Sequence, residues 1–205
     1  MARKTAIAAM AKAENAYHHG DLRAALIAAA REELETARPE AITLKSLALR
    51  LGVSQPAPYR HFANRDALLA AVAADGFERF RSALMAARDG ASGSDVFLRS
   101  CLAYLEFARL NRGVYRLMFA SQLLCEADDE ALEQASSAAF HFLLEGVAKT
   151  APSERARAIA VWIWSTLHGL AMLEAEGLAG GPPSGEVSPE AVVREMMATL
   201  AGRSG

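Results

Sequence analysis

Between Ala41 and Arg65 the chain carries Thr43, Lys45, Ser54, Gln55, Tyr59, Arg60, His61 and Arg65 and no acidic residue. These side chains suit the edges and backbone of a nucleic acid. The amide of Gln55 can pair bidentately with adenine, and Arg60 can donate to guanine or to a phosphate. Pro56 and Ala57 offer apolar surface to a thymine methyl group. Tyr59, His61, Thr43 and Arg65 suit phosphate oxygens better, and the N-terminus of a helix opening at Asn64 adds backbone donors. Lys45 and Ser54 complete the candidate set.

A second constellation lies further on: Tyr104, Phe107, Tyr115, Met118, Phe119, Phe140, His141, Trp162, Trp164 and His168. Its aromatic and methionine content suits a cavity for a largely apolar ligand, and the same stripe also suits plain core. On one helix Trp162 and Trp164 stand about 200° apart. They are therefore not expected to face the same cavity. His168 can bond a ligand's polar group or be satisfied by a backbone carbonyl. Enzymatic readings find no HExxH, no Gly-rich phosphate loop and no GxSxG frame. His141 and His168 lack cysteine or carboxylate partners at metal-ligand spacing, and His18 and His19 are adjacent, better placed to approach phosphate. The expectation is no catalytic site, no metal and no cofactor.

The elements that must position these residues are helical. Of 205 residues, 52% are hydrophobic and 22% charged, and about a fifth are alanine, the strongest helix former. With few β-branched and aromatic residues, an all-β fold is disfavoured; ample apolar content with a net charge of −2 disfavours disorder. That net charge hides a division: residues 1–90 carry 13 Lys+Arg and 10 Asp+Glu, or +3, and residues 91–205 carry 9 and 14, or −5. The N-terminus lacks the uninterrupted apolar run of a signal peptide, and no membrane span is expected. The cysteines, Cys101 and Cys125, read as reduced packing thiols.

Periodicity and capping signals predict an all-α chain of about nine helices. The first runs from Leu22 to near Thr36, and Arg38-Pro39-Glu40 breaks it. Thr43 caps LKSLALRL, Gly52 makes the turn, and Ser54 caps QPAPYRHF, whose prolines fall in its opening turn. Leu44, Leu47 and Leu51 share a face of the first short helix, Ala48 admits a close crossing, and Val53 plugs the angle, as a helix-turn-helix requires. On the second helix Pro58 and Phe62 face inward and Arg60 outward. Asn64 caps a long helix ending near Gly90. Two helices separated near Gly113 follow, then one from Asp128 to about Lys149, a long one after Pro152-Ser153, and a short last one from Ser188-Pro189. The last two carry Ile163, Leu167, Leu170, Leu173, Val192, Val193, Met196 and Leu200, apolar surface that would suit a four-helix dimer interface.

YHHGDLRAALIAAAREELE followed by ITLKSLALRLGVSQPAPYRHFANRDALLAAV, about residues 17 to 72, resembles the DNA-binding domain of TetR/AcrR family transcriptional regulators. WIWSTLHGLAMLEAEGL, with Trp164, His168 and Gly169, resembles the C-terminal domain of a Trp-His-Gly subgroup. The resemblance implies DNA contacts at Thr43, Gln55, Ala57, Tyr59 and His61, with Arg65 where the family usually has lysine. Pro58 departs from the usual leucine or isoleucine. The resemblance implies an all-helical homodimer that binds double-stranded operator DNA and a small effector; the apolar residues of the last two helices are the expected interface, and the lack of a signal peptide or membrane span gives the expectation of a cytoplasmic protein. The expected organisation is a flexible arm (1–17), a helix-turn-helix domain (18–64), a connecting helix (65–90) and a ligand-binding and dimerisation domain (91–205). The pocket candidates are Tyr104, Phe107, Tyr115, Met118, Phe119, Phe140, His141, Trp164 and His168. The expected function is a repressor released from a palindromic operator by a largely apolar effector. An activator or ligand-independent regulator on the same fold, and a protein-interaction adaptor, are the alternatives.

Overall fold

The computed structural model describes residues 22–120, 129–149, 151–178 and 187–202. The expected N-terminal arm, His18, His19, Asp128 and Cys125 lie outside them. Eight α-helices and no strand occur among the described residues: α1 (Leu22–Leu34), α2 (Leu44–Arg50), α3 (Arg65–Ala86), α4 (Ser94–Leu110), α5 (Arg112–Ala120), α6 (Glu130–Ala148), α7 (Ser153–Ala175) and α8 (Pro189–Gly202). Four N-terminal caps form as their residue types dictate, among them Ser188, whose Oγ accepts from the amide of Ala191 at 3.1 Å at the start of α8. Thr43 and Ser46 make a reciprocal capping box on α2, Asn64 Oδ1 accepts from the amide of Ala67 at 2.8 Å, and Asp129 Oδ1 accepts from that of Leu132 at 2.9 Å.

The ninth expected helix, QPAPYRHF, is instead a turn followed by a short 3-10 segment, Pro58–Arg60. With Ser54 as cap, the first helical i→i−4 bond would need an N–H at position 58, and proline has none. The chain closes tighter bonds: Ala57 donates to Ser54 O at 2.9 Å, Arg60 to Ala57 O at 3.2 Å and His61 to Pro58 O at 3.0 Å. Pro58 thus lies one residue too deep for a harmless opening-turn position. The Ser54 hydroxyl makes no capping bond among the described residues. Pro58 and Phe62 still face the core, as their spacing requires.

A second difference concerns the break before α5. The helix ends at Asn111, with φ −128° and ψ 48°, and Gly113 lies inside α5. That glycine serves close approach: a Cβ there would fall 2.0 Å from the carbonyl oxygen of Leu34. Its amide donates to Glu35 Oε2 at 3.3 Å, so α5 abuts the C-terminal end of α1. Gly76 of α3 does the same against Val114 and Met118, where a Cβ would lie 2.8 Å from each side chain.

Around these contacts one core is continuous. Leu26, Leu47, Leu68, Val72, Leu117 and Ile163 are fully buried in it, and α3, 22 residues long, packs against α1, α4, α5 and α6. Burying a leucine or phenylalanine contributes about 1.5–3 kcal/mol, so the alanine-rich α3 gains its stability from Leu68, Leu69, Phe77, Phe80 and Leu84. Arg31 and Asp75, paired at 2.8 Å, join α1 to α3 at the surface of this core.

α7 is long and apolar enough to cross a membrane by length and composition, with 22% of its most apolar window buried. It packs against α4, α6 and α8, burying Ile163, Leu167 and Ala171. Of the expected interface residues, Ile163, Leu167, Val193 and Met196 are core instead. Leu173 remains exposed, together with Val161, Trp162 and Trp164.

Candidate nucleic-acid interface and ligand cavity

The segment from Thr43 to Arg65 is held by its apolar half and presents its polar half. Leu44, Leu47, Ala48, Pro58 and Phe62 are buried, while Thr43, Lys45, Ser54, Gln55, Pro56, Tyr59, Arg60 and His61 are exposed. Gly52, at φ +67°, takes the left-handed conformation that turns the chain out of α2. Tyr59 is 56% exposed, an unusual outlay of aromatic surface on an otherwise polar face. Ala57 is half-buried.

Two of the basic residues are occupied within the fold. Arg50 donates to Ala29 O at 3.0 Å and pairs with Glu32, bracing α2 against α1. Arg65 pairs with its neighbour Asp66 at 3.1 Å. Lys45, on α2, and Arg60, within the Gln55–His61 turn, have no ion pair among the described residues.

The second site is a cavity of about 1520 Å³ between α3, α4, α6 and α7, larger than the roughly 300–1,000 Å³ of an ordinary small-molecule pocket. Of the expected residues, Tyr104, Met118, Phe119, Phe140, His141, Trp164 and His168 border it. Phe107 and Tyr115 do not. Phe107 is core, its ring edge-on to Phe80 with centroids 5.2 Å apart. Tyr115 stands one layer behind the wall.

Trp162 borders the cavity as well as Trp164, contrary to the expectation from their angular separation. The space is wide and open enough to reach around α7. Arg88 and Ser100, which also border the cavity, have no signal in the aromatic pattern. They come from the end of one helix and the middle of the next, and only their packing brings them together.

Buried polarity at one end of the cavity is resolved by a chain of three rings. The hydroxyls of Tyr104 and Tyr115 lie 2.8 Å apart, and that of Tyr115 lies 2.8 Å from His168 Nδ1. The partner of His168 is therefore a phenol and not the backbone carbonyl anticipated. Burial lowers the His168 pKa from its ordinary 6.5, which favours the neutral ring at neutral pH. Burial raises both phenols well above their ordinary 10, so this end is uncharged but rich in hydrogen bonding. Phe119 packs against it, 5.1 Å from the His168 ring and 6.1 Å from that of Trp164. His141, by contrast, is exposed and bonds Ser137 O at 2.8 Å. The buried thiol of Cys101 is pushed up to about 12 by desolvation, which suits a packing role.

Two family profiles match this chain. "Bacterial regulatory proteins, tetR family" covers residues 26–72, and "Tetracyclin repressor-like, C-terminal domain" covers residues 97–200. No curated protein is significantly similar in sequence. Among solved structures, a protein of unknown function from Rhodococcus sp. RHA1 is 32% identical with a TM-score of 0.76, covering 91% of this chain and 97% of that one. A TetR variant from Acinetobacter baumannii AYE in complex with minocycline is 22% identical, with a TM-score of 0.59 over 88% of this chain and 96% of that one. The fatty acid degradation regulator FadR from Bacillus halodurans is 14% identical, with a TM-score of 0.65 over 88% and 95%. The last two likenesses concern the fold alone.

Proposed function

The chain belongs to the TetR family of bacterial regulatory proteins and is a DNA-binding transcriptional regulator; from that premise we propose that it is a repressor released from its operator by a small molecule in the cavity. Proteins of this family act as regulators and not as enzymes. One observation carries the reading. α3 begins beside the exposed Gln55–His61 turn and supplies Phe77, Phe80 and Leu84 to the cavity wall. Occupancy of the cavity and the attitude of the DNA-binding unit are thus linked through a single rigid element. α5 offers a second link, with Gly113 against α1 and Met118 and Phe119 at the cavity.

In this reading residues 18–64 bind DNA, 65–90 connect, and 91–205 bind the effector and dimerise. Gln55 reads bases; Thr43, Lys45, Ser54, Tyr59, His61 and Arg65 grip phosphates, and Arg60 serves either role. Two copies, joined through α7 and α8, place their Gln55–His61 turns in successive major grooves of a palindromic site in the bacterial cytoplasm. The exposed Val161 and Leu173 of α7, which do not border the cavity, are apolar surface available to such a partner. A protein of the same fold has been solved in complex with minocycline, and a small-molecule effector is in keeping with that fold.

Footprinting on the DNA upstream of its own gene tests the proposal. Protection of a palindrome is expected. Arg65→Ala should weaken all sequences alike and flatten the salt dependence, whereas Gln55→Ala should also change base preference. If neither variant altered binding there, the assignment of this face to DNA would fall. Deleting the gene should raise expression of its target; a fall would indicate an activator.

A further inference from the structure

The walls of the cavity are more basic than the region that builds it. Residues 91–205 carry 9 Lys+Arg against 14 Asp+Glu. Yet Arg88, Lys149, Arg155 and Arg157 border the cavity, and no aspartate or glutamate does so among the described residues. Three of these cations are exposed at the surface. Arg88 is the exception, half-buried just beyond the end of α3.

The guanidinium of Arg88 is held in place. Its Nε donates to Ser100 Oγ at 2.9 Å, and Ser100 Oγ in turn donates to Val96 O at 2.8 Å. The Phe142 ring lies beneath it, 3.8 Å from Cζ to centroid. Gly146 makes room for it, since a Cβ there would come within 3.2 Å of Nη2. Both terminal nitrogens are left without a carboxylate partner among the described residues; Glu145 acts on the charge at longer range. Burial lowers the pKa of this group, but an arginine remains cationic in proteins. An oriented cation stacked on an aromatic ring, with its fork of N–H donors free, is the arrangement that recognises a carboxylate.

On the reading that the cavity binds the effector, we infer that this effector is an amphiphilic carboxylate. Its anionic group is held by the Arg88 fork and its apolar body lies toward Phe119 and Trp164. The neutral Tyr104–Tyr115–His168 chain supplies no competing charge. The cavity therefore has one half-buried cationic anchor, Arg88, with three exposed cations at its surface, and one uncharged aromatic end, and it discriminates against a neutral molecule of the same shape.

Trp162 and Trp164 border the space, so their fluorescence reports its occupancy directly. Three probes separate the inference from the reading beneath it: naphthylacetate, its neutral isostere naphthylacetamide, and the uncharged dye Nile red. The acid should bind at least about tenfold more tightly than the amide. In Arg88→Gln that preference should shrink to about twofold or less while Nile red binding persists. Equal affinity of acid and amide for the unaltered chain, or an undiminished preference in Arg88→Gln, would overturn the carboxylate assignment and leave the cavity reading intact. Failure of Nile red to bind the unaltered chain would overturn the cavity reading and the inference with it. The acid–amide comparison on the unaltered chain decides the matter even if Arg88→Gln does not fold.

Discussion

The two functional regions handle their polar side chains in opposite ways. In the DNA-binding segment the polar groups of Gln55, Tyr59, Arg60 and His61 point to solvent, and a small apolar set holds the backbone beneath them. In the cavity the phenols of Tyr104 and Tyr115 bond each other and His168, and Arg88 is tied to Ser100. Among the described residues the side chains of Gln55, Tyr59, Arg60 and His61 make no internal hydrogen bond, because their ligand brings both phosphates and base edges, and only Thr43 and Arg65 at the edges of the segment are tied to neighbours. The second satisfies its buried phenols and His168 internally, because an unpaired group in an apolar cavity costs about 1–3 kcal/mol, and leaves open only the terminal nitrogens of the half-buried Arg88. Side-chain identity therefore tunes recognition at the first site without much consequence for stability. At the second, recognition and stability are coupled.

The most severe test of that contrast is to attack the scaffold under the DNA-binding face. Leu47→Ala removes a side chain that is 0% exposed and should lower the unfolding free energy by about 2–5 kcal/mol. Urea denaturation would measure it, and a loss below about 1 kcal/mol would mean that this segment is not built on its apolar face. Next in size is Gly113→Ala, which drives a Cβ onto the Leu34 carbonyl and should cost about 1–3 kcal/mol. If α5 links the regions, DNA affinity should become less sensitive to occupancy of the cavity. Tyr115→Phe leaves His168 Nδ1 and the Tyr104 hydroxyl without their shared partner, at about 1–2 kcal/mol. Gln55→Ala, by contrast, should leave the melting temperature within experimental error while changing operator discrimination by about 1–3 kcal/mol. Equal thermal effects from these two variants would erase the distinction between the regions.

The smallest expected effect is a pH dependence confined to the cavity. Because burial lowers the His168 pKa below its ordinary 6.5, the unfolded chain binds this proton more readily than the folded one. Its contribution favours the native state above pH 6.5 and is lost as pH falls below that value toward the depressed folded pKa. Melting curves from pH 7.5 to 5 should show the loss in the unaltered chain and a flatter profile in His168→Gln; identical profiles would show that the ring titrates as if exposed.

Much of the DNA-binding segment was legible because its signals are local. Thr43 and Asn64 cap the helices they precede, Gly52 takes a positive φ, and Pro58 and Phe62 turn inward by spacing alone. The error there was also local: the missing N–H of Pro58 withholds the bond that would have begun a regular helix. Gly113, read as a helix breaker, is instead a contact with Leu34, a residue 79 positions earlier in the chain.

The sequence by itself determined the helical class, most caps and breaks, the separation of positive from negative charge, and the outward set from Gln55 to His61. Backbone propensity, capping and amphipathic period are properties of neighbouring residues and need no knowledge of the rest of the chain. Tertiary structure decided which aromatics enclose space and which fill it. Phe107 became core, Tyr115 a hidden link to His168, and Trp162 part of the wall. It also brought Arg88 to Ser100 and Phe142. A stripe of apolar residues specifies that a face is buried. What meets that face depends on the crossing of helices distant in sequence, and on small residues such as Gly76, Gly113 and Gly146 that set how closely they approach.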